Sequence, residues 1–425
     1  MTRLALCRLR NLNSSAFPAD RDLFPLLDIS GTAREIGLQH GKALRSRIWR
    51  CWDLYASVFA NVGVDSATML DLAETFRSSI EKFDDAYITE IDAIAEGADI
   101  EPWKIILLNA RSETINSTVA TAGTPPRTEH NECTSLHCGS MLGQNWDWAA
   151  ELEPLCAILR VKRTDCPGTP RMLFMTEPGV IGKVGLNSAG VGVCLNMLQC
   201  DAPVGGVPLH VLLRAVLESP SLAAAESKIR AAPRGTMSSF VLGDASGAGR
   251  VIELAGDAIH DVSREAAIEM AAHDRTWLLR TNHYLGPVPD EPNASSIERL
   301  RRAHELISSL AVDADSNVHG TGNASGRDGG GGNHGNRYSS VLSDAVTVLT
   351  DQQAEWPIRR PFVESHPHLG LEHVGTVCSL VMDLRNREMH ITRGNPIDYP
   401  TFERIPLGSD HEFSIDGTST SADLD

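Results

Sequence analysis

Cys133 opens the stretch Cys133-Thr134-Ser135-Leu136-His137-Cys138, and Gly143-Gln144-Asn145-Trp146-Asp147 follows it as a second strand-like run. A cysteine at the head of a hydroxyl-bearing strand suits a chain that cuts itself before that cysteine. The new terminus then carries a thiol and an α-amine on one residue, so nucleophile and base arrive together. On this reading the cut is expected between Glu132 and Cys133, dividing the chain into residues 1–132, a small helical piece, and residues 133–425, the working piece. Ser135 lies two residues on, so the period of two puts its hydroxyl on the nucleophile's strand face.

The elements that must hold these groups can be read from periodicity. Residues 33–62 and 66–100 repeat apolar side chains at three-to-four spacing, which predicts helices, and Pro102 starts another. Residues 121–128 are rich in breakers, as an exposed linker before Cys133 would be. From 133 to about 200 the runs are short, apolar and bounded by Gly and Pro. Residues 180–187 and 191–196 read as a hairpin about Ser188-Ala189-Gly190. Helices are expected at about 207–218 and 221–232, strands at 238–243 and 250–255, and a charged amphipathic helix at about 295–310. Residues 312–338 hold Gly, Asn, Asp and Ser with few core formers, and predict a flexible insertion. Strands from Val377 and from Glu388 close the domain. Helices followed by antiparallel strands point to an α+β domain.

Composition excludes several classes. The 425 residues are 42% hydrophobic and 22% charged, an ordinary globular mixture. A net charge of −17 argues against nucleic-acid partners and anionic membranes. No apolar run is long enough to span a bilayer. Nine scattered cysteines suit a reducing compartment and no disulfide framework. The cytosol is the expected location. The Arg-bearing start, free of acids until Asp20, is also compatible with a mitochondrial transit peptide, and the last residues are not a Ser-Lys-Leu-type peroxisomal signal. The pairs His137/Cys138 and His366/His368 lack four-ligand spacing, so no metal is expected. Gly179 to Gly190 lacks the strand-to-helix setting of a phosphate loop. Cys138 reads as an inert thiol.

Taken in order, several segments resemble the acyl-coenzyme A:6-aminopenicillanate acyltransferases (isopenicillin N acyltransferases) and their relatives among the N-terminal-nucleophile hydrolases. They are Glu35-Ile36-Gly37-Leu38-Gln39-His40-Gly41, Ile94-Ala95-Glu96-Gly97-Ala98, Leu108-Asn109-Ala110-Arg111-Ser112-Glu113, Cys133-Thr134-Ser135 and Gly143-Gln144-Asn145-Trp146-Asp147. Gly179 through Gly190 and Arg280-Thr281-Asn282-His283 complete the set. The resemblance implies an αββα four-layer sandwich and autocatalytic cleavage into two chains that stay together. It implies acyl-coenzyme A as co-substrate, with no bound cofactor, and an amine of a peptide-derived small molecule as acceptor, in secondary metabolism such as antibiotic biosynthesis. By the same resemblance Asn282 is the oxyanion-hole amide, Asp147 orients the terminal amine, and Ser238 is a site serine. His40 and Glu35 are expected to serve packing. The chain departs from the family pattern twice. Glu132 stands where glycine usually precedes the nucleophile. Glu372-His373-Val374-Gly375 stands where penicillin-forming members carry Ser-Arg-Gly, leaving His373 as the candidate substrate contact. A linear-amide hydrolase using the same site and an uncut, inactive binding homologue are the alternatives.

Overall fold

The computed structural model describes residues 24–116, 133–200, 205–233, 235–270, 275–288, 294–319, 334–353, 355–362, 364–394 and 401–409. Strand β1 (Leu26–Gly31) leads into helices α1 (Ala33–Ala43), α2 (Arg45–Asn61), α3 (Ser66–Phe83), α4 (Asp85–Ala98), α5 (Pro102–Asn109) and α6 (Arg111–Asn116). Each start has a local cause. Thr32 and Glu35 form a reciprocal capping box on α1, Asp65 and Asp84 cap α3 and α4, and Pro102 supplies the pre-set φ of a first helical position.

Beyond Cys133 run β2 (Thr134–Cys138), β3 (Met141–Ala149), β4 (Ala157–Arg163), β5 (Met172–Thr176), β6 (Gly185–Asn187) and β7 (Val191–Met197). Helices α7 (Leu209–Leu217) and α8 (Leu222–Ala231) follow. Next come β8 (Met237–Asp244), β9 (Gly249–Ala255), β10 (Ala258–Asp261), β11 (Ala267–Met270) and β12 (Arg275–Arg280). The chain continues through α9 (Ala294–His319), α10 (His334–Leu349), β13 (Glu364–His366), β14 (Leu371–Asp383), β15 (Glu388–Arg393) and β16 (Glu403–Pro406).

The strands make two sheets. One runs β1-β4-β5-β6-β7-β8-β9-β10, with only the β1–β4 pair parallel; the other runs β11-β12-β2-β3-β14-β15-β16, with β13 also on β14. They face each other through β2 and β3 against β7 and β8. Helices α1, α7 and α8 cover the outer face of the first sheet, and α9 and α10 that of the second. The result is helix–sheet–sheet–helix, the expected four layers. Side-chain alternation sorts the second sheet cleanly. Leu136, Cys138 and Met141 join a core under α9 and α10, while Leu142, Trp146 and Trp148 join the larger core between the sheets and under α1 to α7.

Two segments differ from the sequence-based expectation. Only residues 185–187 of the run 180–187 form a strand. Val180, Ile181 and Val184 are fully buried, but in a loop whose backbone is satisfied by side chains. Asn109 accepts from the Ile181 N–H (2.9 Å) and donates to the Gly179 carbonyl (2.9 Å), while His40 Nε2 accepts from the Gly179 N–H (3.0 Å). A continuous apolar run reads as a strand because periodicity cannot show such side-chain bonding. The second difference lies in residues 312–338. Helix α9 continues to His319 and α10 begins at His334, so both ends of that stretch are helical; residues 320–333 lie outside the described residues. Helix α10 escaped notice because its core positions Val341, Ala345, Val348 and Leu349 follow the low-complexity run directly.

Candidate active site

Cys133 immediately precedes β2 and is 4% exposed. Its carbonyl is held twice, accepting from Asn196 Nδ2 of β7 (2.9 Å) and from Arg299 Nη1 of α9 (2.8 Å). One bond thus comes from the facing sheet and one from the covering helix, so both layers fix the head of β2. Burial pushes the Cys133 thiol up to about 11, and the Asp147 carboxylate pushes in the same direction. The Asp147 backbone N–H, Arg299 and Lys183 partly oppose them. In the continuous chain the group is therefore a thiol at neutral pH and needs a base to act.

Asn282 sits just past the end of β12, which pairs with β2 through Arg280↔Ser135. Its backbone N–H donates to Ser296 Oγ (2.8 Å), its Oδ1 accepts from Arg299 Nη2 (3.0 Å), and its Nδ2 donates to the Met197 carbonyl (3.0 Å). A guanidinium only donates, so Arg299 dictates which end of the amide faces it. The NH2 end must turn the other way, and one N–H is left beyond the Met197 bond.

Asp147 is buried in β3, opposite Thr376 of β14. Ser135 is fully buried beside Gln144 of β3, and its Oγ has no hydrogen-bond partner among the described residues. It faces between the sheets, as does His137, whose ring packs against Gly243 and Gly249. Cys133, Asp147 and Asn282 thus come together at one end of the sandwich, the first and last joined by Arg299, while Ser135 lies further along β2 on the face between the sheets. Ser238 does not join them in the same way. Ser239 faces the second sheet and accepts from Arg280 Nε (3.2 Å), so its neighbour Ser238 lies on the helix side of β8. His373 is exposed near the start of β14, ahead of the β3 pairing that begins at Val374↔Ala149. Glu132 lies outside the described residues. Among the described residues no group of three His, Cys, Asp or Glu side chains could hold a metal ion. None of the described helices is long and apolar enough to cross a membrane.

Sequence reading missed Arg299 and Asn196. Both had a signal. Arg299 shares a helix face with Ala303 and Ile307, which are buried, so its spacing placed a cation on a core-facing stripe. Asn196 interrupts an apolar strand in phase with Gly192 and Cys194. Unnoticed too was a buried ion cluster, Arg111–Glu177–Lys183, whose two cations come from segments that carried the resemblance.

Two sheets sandwiched between helices, with a cysteine at the head of a central strand and an asparagine tied to it through Arg299, define a protein of the N-terminal-nucleophile fold. Residues 134–319 match the acyl-coenzyme A:6-aminopenicillanic acid acyl-transferase family. The 40 kDa form of the acyl-coenzyme A:6-aminopenicillanic-acid-acyltransferase of Emericella nidulans is 32% identical over 294 residues, covering 65% of this chain and 76% of that protein. The chain belongs to this family, and it is an enzyme of acyl transfer or amide cleavage. Among solved structures, a Caenorhabditis elegans N-acylethanolamine-hydrolyzing acid amidase ortholog aligns at 17% identity and a TM-score of 0.36, covering 60% of this chain and 93% of its own. Penicillin V acylase from Agrobacterium tumefaciens aligns at 12% and 0.36, covering 61% and 82%. The layers described above, not these scores, set the fold class.

Proposed function

We propose that the chain is an autoprocessed acyltransferase that carries an acyl group on Cys133 from a coenzyme A thioester to an amine. In the precursor the Cys133 sulfur attacks the carbonyl of residue 132, and the peptide nitrogen leaves as the Cys133 amine. Water then opens the thioester, leaving a carboxylate on residue 132. In the mature enzyme that amine, with a reference pKa of about 7.7–8.0, takes the thiol proton. The thiolate attacks the acyl thioester, a new S–C bond forms, and the coenzyme thiolate departs with the proton from the ammonium. The acceptor amine then attacks the acyl-cysteine, forming the amide and returning a proton to the Cys133 sulfur.

One observation carries this reading. Arg299 grips both the Cys133 carbonyl and the Asn282 amide oxygen, which orients nucleophile and oxyanion donor from a single rigid group. A thiol held near 11 fits the need for an adjacent base. Asp147, buried beside the thiol, suits an ammonium partner. A peptide-derived acceptor in secondary metabolism, with the two processed chains as each other's partners, completes the proposal by family membership.

Intact mass and N-terminal sequencing test it. Purified protein should contain two chains, the larger beginning at Cys133, and incubation with an acyl-coenzyme A should add one acyl mass to that chain. Cys133→Ala should remain one chain without activity. Cleavage persisting in that variant, or full activity from uncut protein, would sink the mechanism.

A further inference from the structure

Behind the Cys133 site lies a buried charge cluster that the mechanism so far leaves idle. Glu177, fully buried after β5, accepts from Arg111 Nε (3.1 Å) and Nη2 (2.9 Å), from Lys183 Nζ and from the Tyr55 hydroxyl. Trp148 Nε1 donates to the Tyr55 oxygen (3.0 Å). Burial alone would raise the Glu177 carboxyl; Arg111 and Lys183 outweigh it and hold the group well below the usual carboxylate range. Burial and Arg111 lower the Lys183 ammonium while the Glu177 carboxylate opposes them; with Lys183 protonated the cluster holds two cations and one carboxylate, a surplus of one positive charge sealed from water. His210, beside it, is kept neutral by burial.

That surplus points toward the nucleophile. Lys183 Nζ stands 3.1 Å from the ring centroid of Trp146. Trp146 is the next β3 residue after Asn145, which pairs with Thr134, so one further step of the ladder reaches Cys133. Trp146 and Cys133 pack in the same core between the sheets. The groups that face Cys133 electrostatically are Asp147 of β3, Arg299 of α9, Lys183 ahead of β6, and the thiols of Cys194 on β7 and Cys378 on β14. The thiols are neutral and Asp147 opposes a thiolate. The Asp147 backbone N–H favours one, and among side chains Arg299 and Lys183 do so; Arg299 is committed to carbonyl and amide oxygens.

We propose that Lys183, held by Glu177 and stacked on Trp146, is a positioning residue whose buried charge favours the thiolate of Cys133. It touches neither substrate nor sulfur; it acts across the Trp146 ring, where low polarity keeps a charge effective. Glu177 moderates that charge, and Arg111 keeps Glu177 ionised. The proposal rests on Cys133 being the nucleophile, but its readout does not need turnover.

The test measures the pH dependence of Cys133 alkylation by iodoacetamide, followed by peptide mass, in the full-length protein. Lys183→Met should leave about tenfold less Cys133 thiolate at a given pH, while Lys183→Arg, which keeps the charge, should stay close to the native profile. A merely structural cluster would move neither profile, or move both variants in one direction. Lys183→Met matching the native profile, or Lys183→Arg matching Lys183→Met, overturns the proposal. Activity retained in Cys133→Ala would instead defeat the nucleophile reading and leave these profiles to be judged separately.

Discussion

At the residue scale, Arg299 changes how the site is understood. A lone asparagine near a cysteine could rotate its amide, but Arg299 Nη2 on Asn282 Oδ1 allows only one orientation. Asn282→Ala removes the donor itself and should lower kcat by about 10²–10³, with little change in KM. Arg299→Gln should cost a similar factor, since it releases both the Asn282 amide and the Cys133 carbonyl. The double variant should fall well short of the product of the two losses, because one residue acts partly through the other. Fully multiplicative losses would show that Arg299 serves the reaction by some route that bypasses Asn282. That Cys133, Asp147 and Asn282 would lie near one another was legible because segment order survives without coordinates, and the face of Ser135 was legible because strand phase does. Arg299 and Asn196 were obscured by chemistry that looks ordinary in one dimension, an arginine in a charged helix and an asparagine in a strand. Only burial separates them from surface residues of the same type. Ser238 shows the converse, since two adjacent serines are equivalent on paper and the pleat assigns them to opposite faces.

At the element scale, the early glycine-bearing segments are explained by how closely α1 and α4 approach. A methyl at Gly37 would overlap the Glu90 carbonyl, one at Gly41 the Ile94 carbonyl, and one at Gly97 the Leu38 carbonyl. These helices pack backbone to backbone, and the segments marked fold rather than chemistry, as the sequence suggested for His40 and Glu35. His40 indeed serves the loop, with burial lowering its imidazole to about 3 so that Nε2 accepts from Gly179. Gly41→Ala should therefore destabilise the protein by about 1–3 kcal/mol through forced separation of the helices. Thermal unfolding checks this; an unchanged Tm would mean the helices can slide apart freely. The helix starts near 33, 66 and 102 were readable because caps and periodicity are local, whereas the breaks at Leu44 and Asp84 inside the spans 33–62 and 66–100 were not. The loop at 179–184 was not, because its hydrogen bonds come from Asn109, His40 and Arg214, all remote in the chain.

For the whole molecule, the bond between residues 132 and 133 would divide a structure that is knitted across that point. β1, from the first part, pairs in parallel with β4 from the second over Leu26↔Ile158 to Gly31↔Arg163. Buried bonds repeat the tie: Glu90 to Arg214 (2.8 Å), Tyr87 to Glu218 (2.9 Å), Arg111 to Glu177 (2.9 Å), and the Leu209 N–H to Glu113 (2.9 Å). Cleavage removes one covalent link and none of these, so the cut protein should elute at the size of the uncut Cys133→Ala chain and separate only in denaturant. Two species under native conditions would contradict the shared sheet. The acid limit of this association follows from Glu177. Its folded-state carboxyl is held below its unfolded value, so the stability it adds is complete above the ordinary carboxylate range and is lost as pH falls through the lower folded value. Glu177→Gln should thus have a lower Tm at neutral pH, by an amount equivalent to about 3–5 kcal/mol, because two cations lose their buried anion. It should also show a flatter fall in Tm toward acid than the native protein. A parallel fall in both would place the acid-sensitive tie elsewhere, with Glu218 as the next carboxylate whose ionised form buried arginines hold.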